Sequence, residues 1–291
     1  MKVAGFSFVR NALLYDYPVK EAILSVLPLC DEFYIAVGKS EDDTLNYIKS
    51  FAGEKIRIIE TVWDESLREG GKVLAVETNK ALNSIGKDYD WAFYIQADEV
   101  VHEKYYPEIL KNLKLWKDDK RVDGLLFNYL HFYGSYDYIA DSPKWYRNEI
   151  RIIRPNGEIY SYKDAQGFRK NNNKHLNVKK INACIYHYGW VKRPDIMQQK
   201  QQNFHKLWHN DNWVEKNVAK SENFDYSNIS SLKKFNDTHP KIMEDRISSK
   251  NWKFDYDISY KKYSLKEYFK IYFEKLTGYR IGEYKNYKII R

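Results

Sequence analysis

The apolar run Trp91-Ala-Phe-Tyr-Ile95 ends in Gln96-Ala-Asp-Glu99, just ahead of His102-Glu103. A strand of this kind delivers its last residues to the crevice where open α/β sheets take ligands. One or two carboxylates there, with phosphate oxygens from a substrate, suffice to hold a hard divalent cation. The competing reading of Asp98 and Glu99 is a helix N-cap. His187, in Ile185-Tyr-His-Tyr-Gly-Trp190, also carries ligand chemistry, although a lone histidine between tyrosines is more often a packed residue. Gly70-Gly71, ahead of a helical pattern, could offer backbone N–H groups to an anion.

These groups need elements to place them. Residues 2–9, 32–37, 55–60 and 91–96 read as strands. Between them lie helices: one capped by Asp16 and ended by Pro28, one following the polar loop 38–43 and broken at Gly53, and one from Gly70-Gly71 to about Ser84. A further helix is expected around 104–115. Strand and helix thus alternate, which predicts a mostly parallel sheet covered on both faces. Beyond 120 the pattern changes. Residues 122–133 and 149–160 read as long strands and 137–143 as a loop, so the second half should be mixed or antiparallel. Met197 to Trp208 is helical and polar, and 211–240 is Asn/Ser/Asp-rich and weakly structured. Ser264-Leu-Lys-Glu267 is a capping box. It opens a helix with Leu265, Tyr268, Phe269, Tyr272, Phe273 and Leu276 at helical spacing, closed by Gly278. Residues 1–210 are expected to form one catalytic domain, with halves 1–115 and 116–210, followed by a basic, aromatic-rich helical extension, 211–291.

Composition bounds the function. Of 291 residues, 43% are hydrophobic and 30% charged, enough for a real core and too balanced for disorder. Net charge is +8, and residues 211–291 carry 17 Lys/Arg against 12 Asp/Glu. Such a tail can meet anionic lipid, nucleic acid or an acidic substrate, or can simply be solvated. No nucleic-acid-binding motif is present, so no nucleic-acid partner is expected. The two isolated cysteines, Cys30 and Cys184, give neither a disulfide framework nor a zinc spacing. With no signal-peptide pattern at the start and no stretch of about 18 apolar residues, a cytoplasmic protein is expected. For the aromatic stripe of the terminal helix, packing on the catalytic domain or on a second copy is the expectation; peripheral contact of 264–291 with anionic lipid is the alternative.

Four segments in order resemble family 2-type glycosyltransferases. Trp91-Ala-Phe-Tyr-Ile-Gln-Ala-Asp-Glu99 is similar to their W-x-x-x-x-D-A-D-E segment. Phe6-Ser-Phe-Val-Arg-Asn11 looks like the first strand and donor loop. Tyr34 to Thr44 looks like V-V-D-D-G-S-T-D-G-T, with Ser40, Asp42 and Thr44 matching, and Glu77-Thr-Asn-Lys-Ala-Leu82 like R-N-x-G/A-L. The resemblance covers residues 1–115 well and 116–190 loosely. It implies a GT-A-type, Rossmann-like α/β fold that moves a sugar from a nucleoside diphosphate sugar to a glycan or lipid-linked acceptor, as a step of polysaccharide synthesis with inversion. Asp98 then corresponds to the metal-binding aspartate, and His187 to a second ligand. The cofactor is Mn2+ or Mg2+, with the imidazole favouring Mn2+. Donor contacts fall on Phe8, Arg10, Asn11, Ser40, Asp42, Lys72, Asn79, Gln96 and Ala97, with Arg10, Arg68 and Lys72 able to meet the diphosphate. The general base of an inverting transfer falls on Asp164 or Glu149, and Trp145 is a candidate acceptor platform.

Two positions depart from the family pattern. Gln96 stands where the first Asp is usual, and Val37-Gly38 replaces an acidic pair. Gln96 keeps open a protein that binds nucleotide-sugar without turnover. A nucleotidyltransferase is the other alternative, but it normally needs a Gly-rich, Arg-containing loop after the first strand, and Phe8-Val-Arg-Asn-Ala12 has no glycine.

Overall fold

The computed structural model describes residues 1–67, 70–218 and 221–291. The first half runs β1 (Val3–Val9), α1 (Val19–Val26), β2 (Glu32–Gly38), α2 (Thr44–Phe51), β3 (Ile56–Thr61), α3 (Lys72–Asn83), β4 (Trp91–Tyr94), β5 (Glu99–Val101) and α4 (Tyr106–Trp116). Strands β3, β2, β1 and β4 pair in that order, all parallel. Their side chains alternate between two cores. Val3, Val9, Ile35, Val37 and Phe93 join α1, α2 and α4 on one face, while Ala4, Phe6, Ala36 and Tyr94 meet α3 on the other. Burial on both faces explains why β1, β2 and β4 read as apolar runs, whereas the edge strand β3 carries Arg57 and Glu60.

Helix α1 begins at Val19, behind Pro18, and Asp16 is not its cap. Asp16 takes φ 47° outside the helix, and its carboxylate pairs with Arg246 at 2.5 Å. The apolar positions 19, 22, 23 and 26 set which face of the helix is buried.

The second half is mixed, as the change of strand pattern beyond residue 120 predicts. It comprises β6 (Gly124–Tyr133), β7 (Ser135–Ala140), β8 (Asn148–Ile153), β9 (Ile159–Tyr162), β10 (Gly167–Lys170), β11 (Leu176–Trp190) and α5 (Pro194–Lys206). Strand β8 runs antiparallel between β4 and β6. Strand β6 is antiparallel to β7 and parallel to β11. Strand β11 also pairs antiparallel with β5, which sets His187 opposite Glu99. That register builds the site.

Two loop expectations are corrected. Residues 135–140 form β7, because Gly134 turns at φ 71° and lets Ile139 pair with Phe132. A Cβ at Gly134 would lie 2.5 Å from the Phe254 ring, so this turn is closed to larger residues. Residues 211–240 are not uniformly irregular: they contain α6 (Asp211–Asn217) and β12 (Leu232–Lys234). The chain ends with α7 (Glu244–Ser248), α8 (Leu265–Thr277) and β13 (Tyr287–Ile289). Strands β12 and β13 pair with β7 and β11, so the C-terminal segment is woven into the sheet. The α8 capping box and its αL glycine, Gly278, are both present. Among the described residues, no helix is long and apolar enough to cross a membrane.

Candidate functional site

Strand β4 stops at Tyr94, two residues before the expected end, because the chain turns out of the ladder toward β5. The two acidic residues there part company. Glu99 is fully buried. Arg151 donates to it twice, Nη2 to Oε1 at 2.6 Å and Nε to Oε2 at 2.8 Å, and the Tyr129 hydroxyl donates to Oε1. The guanidinium lies over the Tyr94 and Tyr129 rings. Glu99 is therefore an internal anchor.

Asp98 faces the other way. Its Oδ2 lies 3.7 Å from His187 Nε2 and 3.2 Å from Lys200 Nζ. The ammonium also donates to the Gly189 carbonyl at 2.9 Å. A Cβ on Gly189 would come within 2.6 Å of both Asp98 Oδ2 and His187 Nε2, so only glycine leaves this cradle open. Burial would raise the Asp98 carboxyl, but neighbouring positive charge, that of Lys200 foremost, outweighs it and holds the carboxyl down at about 2.

The imidazole is oriented by a second histidine. His131 Nε2 lies 2.9 Å from the Tyr146 carbonyl, which can only accept, and His131 Nδ1 lies 3.3 Å from His187 Nδ1. Burial drives both rings toward their neutral forms. His131 then carries its proton on Nε2, His187 carries its own on Nδ1, and the His187 Nε2 lone pair faces Asp98. This is the outer-shell arrangement that prepares a histidine for a metal. Among the described residues no three His, Cys, Asp or Glu converge as a candidate metal site. Two convergent lone pairs beside an open cradle fit a divalent cation that draws its other ligands from phosphate. Lys200 places one positive charge there already.

The base candidates lie close by. Gln96 donates to the Ala165 carbonyl at 3.2 Å and to Tyr94 Oη at 3.3 Å, tying the acidic segment to the 163–166 turn. Lys163 and Ala165 flank Asp164 at φ 53° and 62°. A Cβ at Gly71 would meet Asp164 Cβ at 3.0 Å, so the turn abuts the start of α3. Burial pushes the Asp164 carboxyl up, offset in part by backbone N–H groups. Glu149 Oε1 accepts from Gln166 Nε2 at 2.7 Å, and its buried Oε2 has no partner. Burial pushes Glu149 up to about 8 against the pull of Arg151 and Gln166. Gln166, Trp145 and Tyr146 line a cleft of about 580 Å³ whose other wall is α8.

The expected donor residues surround the carboxyl ends of β1 and β2. Asn11, at φ 54°, accepts from Glu41 N, and Ser40 Oγ accepts from Asn11 N. Asp42 accepts from Leu14 N at 2.7 Å, so the two loops interlock. Arg10 stacks on Trp63 with its Nε unpartnered, and Phe8 packs beside the same indole. Gly38 lets Trp63 approach closely: a Cβ there would lie 2.4 Å from Nε1. Asn79 is engaged at both ends by the Ser161 backbone, where it braces β9 on α3. Ala97 packs on the core, and Lys72 opens α3 behind Gly71. Arg68 lies outside the described residues.

Sequence reasoning missed His131, Gln166, Lys200 and the pairing of Arg151 with Glu99. Lys200 carried a readable signal, because it lies three residues after Met197 on the inward face of α5. The other three are brought in by strand register and turn geometry alone.

No family model matches the chain, and a search of curated proteins finds no match. Solved structures give distant likenesses. TarS from S. aureus, solved as residues 1–349 with UDP-GlcNAc, is 14% identical over 76% of this chain and 68% of its own, with a TM-score of 0.39. In the longer TarS structure the match spans only 39% of that chain. A 4-diphosphocytidyl-2C-methyl-D-erythritol synthase from Anaerococcus prevotii is 12% identical over 70% of this chain and 94% of its own, at 0.40. Glucosyl-3-phosphoglycerate synthase from Mycobacterium tuberculosis, solved with Mn2+ and UDP-glucose, is 15% identical over 45% and 44%, at 0.30.

Proposed function

We propose that this chain is a nucleotide-sugar glycosyltransferase, acting on a glycan or lipid-linked acceptor with inversion. The observation that carries the reading is the convergence of Asp98 Oδ2 and His187 Nε2, 3.7 Å apart, beside an open glycine cradle. Asp98 and His187 would hold a divalent cation, Mn2+ in preference to Mg2+, whose charge offsets that of a departing nucleoside diphosphate. Lys200 adds a fixed positive charge at the same carboxylate. His131 positions the His187 ring. Glu149 accepts the acceptor proton, preferred to Asp164 because it has a free oxygen and a carboxyl tuned near neutrality.

The test is thermal shift against a panel of nucleoside diphosphates and their sugars, with and without Mn2+, followed by product analysis. One nucleoside diphosphate should stabilise the protein, more strongly with Mn2+. His131→Phe should weaken the Mn2+ enhancement by about 10–100-fold in apparent affinity while leaving metal-free binding in place. Release of nucleoside diphosphate with sugar transfer supports the reading. Pyrophosphate release would identify a nucleotidyltransferase instead. Binding without any product would identify a nucleotide-sugar-binding protein without turnover.

A further inference from the structure

Helix α8 is amphipathic in the reverse sense from an ordinary surface helix, which buries its apolar stripe. Leu265, Tyr268, Phe269, Tyr272 and Leu276 form one stripe, and they are 90%, 52%, 61%, 64% and 67% exposed. The expected packing of this stripe on the catalytic body does not occur. The acidic side of the helix faces inward. Glu267 caps the helix start and lies 3.4 Å from Lys144. Glu274 accepts from Arg147 and Arg280, each at 2.7 Å. Tyr279 and Tyr284, also exposed, extend the apolar surface past the helix end.

An apolar surface of this extent marks an interaction site. Its charge selects the partner. The helix's own acids are neutralised inward, while Lys266 and Lys275 stand exposed at the borders of the stripe. Lys262, Lys285 and Lys288 are exposed in the flanking segments. A second copy laid on this face would bring like charges together. An anionic bilayer surface complements both features, since aromatic and leucine side chains enter the acyl boundary while lysines meet phosphate headgroups.

We infer that α8 docks this protein flat on an anionic phospholipid surface, through Leu265, Phe269, Tyr272 and Leu276, with Lys266 and Lys275 on the headgroups. This docking stands whether or not the sugar-transfer reading holds. The experiment is co-sedimentation of the full chain with vesicles of phosphatidylcholine alone, or of phosphatidylcholine and phosphatidylglycerol in equal parts. The protein should pellet with the anionic vesicles, less so as salt rises. Phe269→Glu/Tyr272→Glu should cut binding by about tenfold or more. Lys266→Glu and Lys275→Glu should each cut it by about fivefold. All four positions are exposed, so circular dichroism and thermal midpoint should stay at wild-type values. The inference is overturned if the wild-type chain stays in the supernatant, or if Phe269→Glu/Tyr272→Glu binds as well as wild type. It is equally overturned if light scattering finds a dimer that this double variant dissociates, since the face then belongs to a second copy.

Discussion

Asp98→Asn is expected to lower kcat/KM for sugar transfer by about 10²–10³-fold while the protein stays folded, the loss that follows removal of one preorganised electrostatic group. The amide keeps the shape of the carboxylate and removes its charge. In the wild type that charge is present throughout the physiological range, because neighbouring positive charge, that of Lys200 foremost, holds the carboxyl at about 2 despite burial. The asparagine leaves the Lys200 ammonium with the Gly189 carbonyl and can turn its amide N–H toward the His187 Nε2 lone pair, occupying it. The Mn2+-dependent part of the donor thermal shift should vanish, and the metal-free part should persist. Stability gives an independent readout. A carboxylate depressed from 3.8 to about 2 contributes stability that is present above about 4 and is lost as pH falls toward 2. Asp98→Asn should therefore be less stable than wild type at pH 7, and the difference should shrink on acidification. An activity loss under about tenfold would remove Asp98 from the centre of the mechanism.

The sequence made the parallel half readable because β1, β2 and β4 are buried on both faces and appear as apolar runs between amphipathic helices. Strand β7 was hidden. Its Asp137 and Tyr138 look like loop residues, and its outer partner, β12, lies more than ninety residues away. Asp98 and His187 were readable because each closes or follows an apolar stretch. The family resemblance picks Asp98 of the two adjacent carboxylates, but the local pattern alone does not tell which of them turns inward. That choice is made by Arg151, 52 positions from Glu99, which claims the inward carboxylate. His131 acquires its role from the parallel register of β6 and β11, which pairs it with His187 across 56 positions. Local pattern encodes what each strand buries; register between distant strands decides which polar side chains meet. The face of α8 failed for a related reason. Helical spacing defines the stripe, but Lys144 and Arg147 outside the helix determine which side turns inward.

Glu149→Gln is expected to lower kcat by about 10²–10⁴-fold, the range for loss of a general acid–base group, while donor binding is retained. The charged and titratable groups acting on Glu149 are Arg151 on its own strand, Glu99 on β5, and Asp164 beside the Gln166 that bonds it. Tyr146 and Tyr287 also feel its charge. Burial dominates and leaves the carboxyl titrating at about 8. A base must be deprotonated to act, so wild-type activity should rise with pH and level off above about 8, and the glutamine variant should lose that limb. If Asp164 were the base, Asp164→Asn would remove the limb and Glu149→Gln would keep it. Stability must move in the opposite sense. A folded-state value near 8 against 4.5 for the free side chain means the native protein binds the proton more tightly. That contribution is complete below about 4.5 and is lost as pH rises to about 8. Above that pH the wild type holds a buried carboxylate whose Oε2 has no partner. Glu149→Gln should accordingly match wild type near pH 5 and unfold at a higher temperature than wild type at pH 9. A merely structural glutamate would give the stability crossover without the kinetic loss, and a catalytic one gives both.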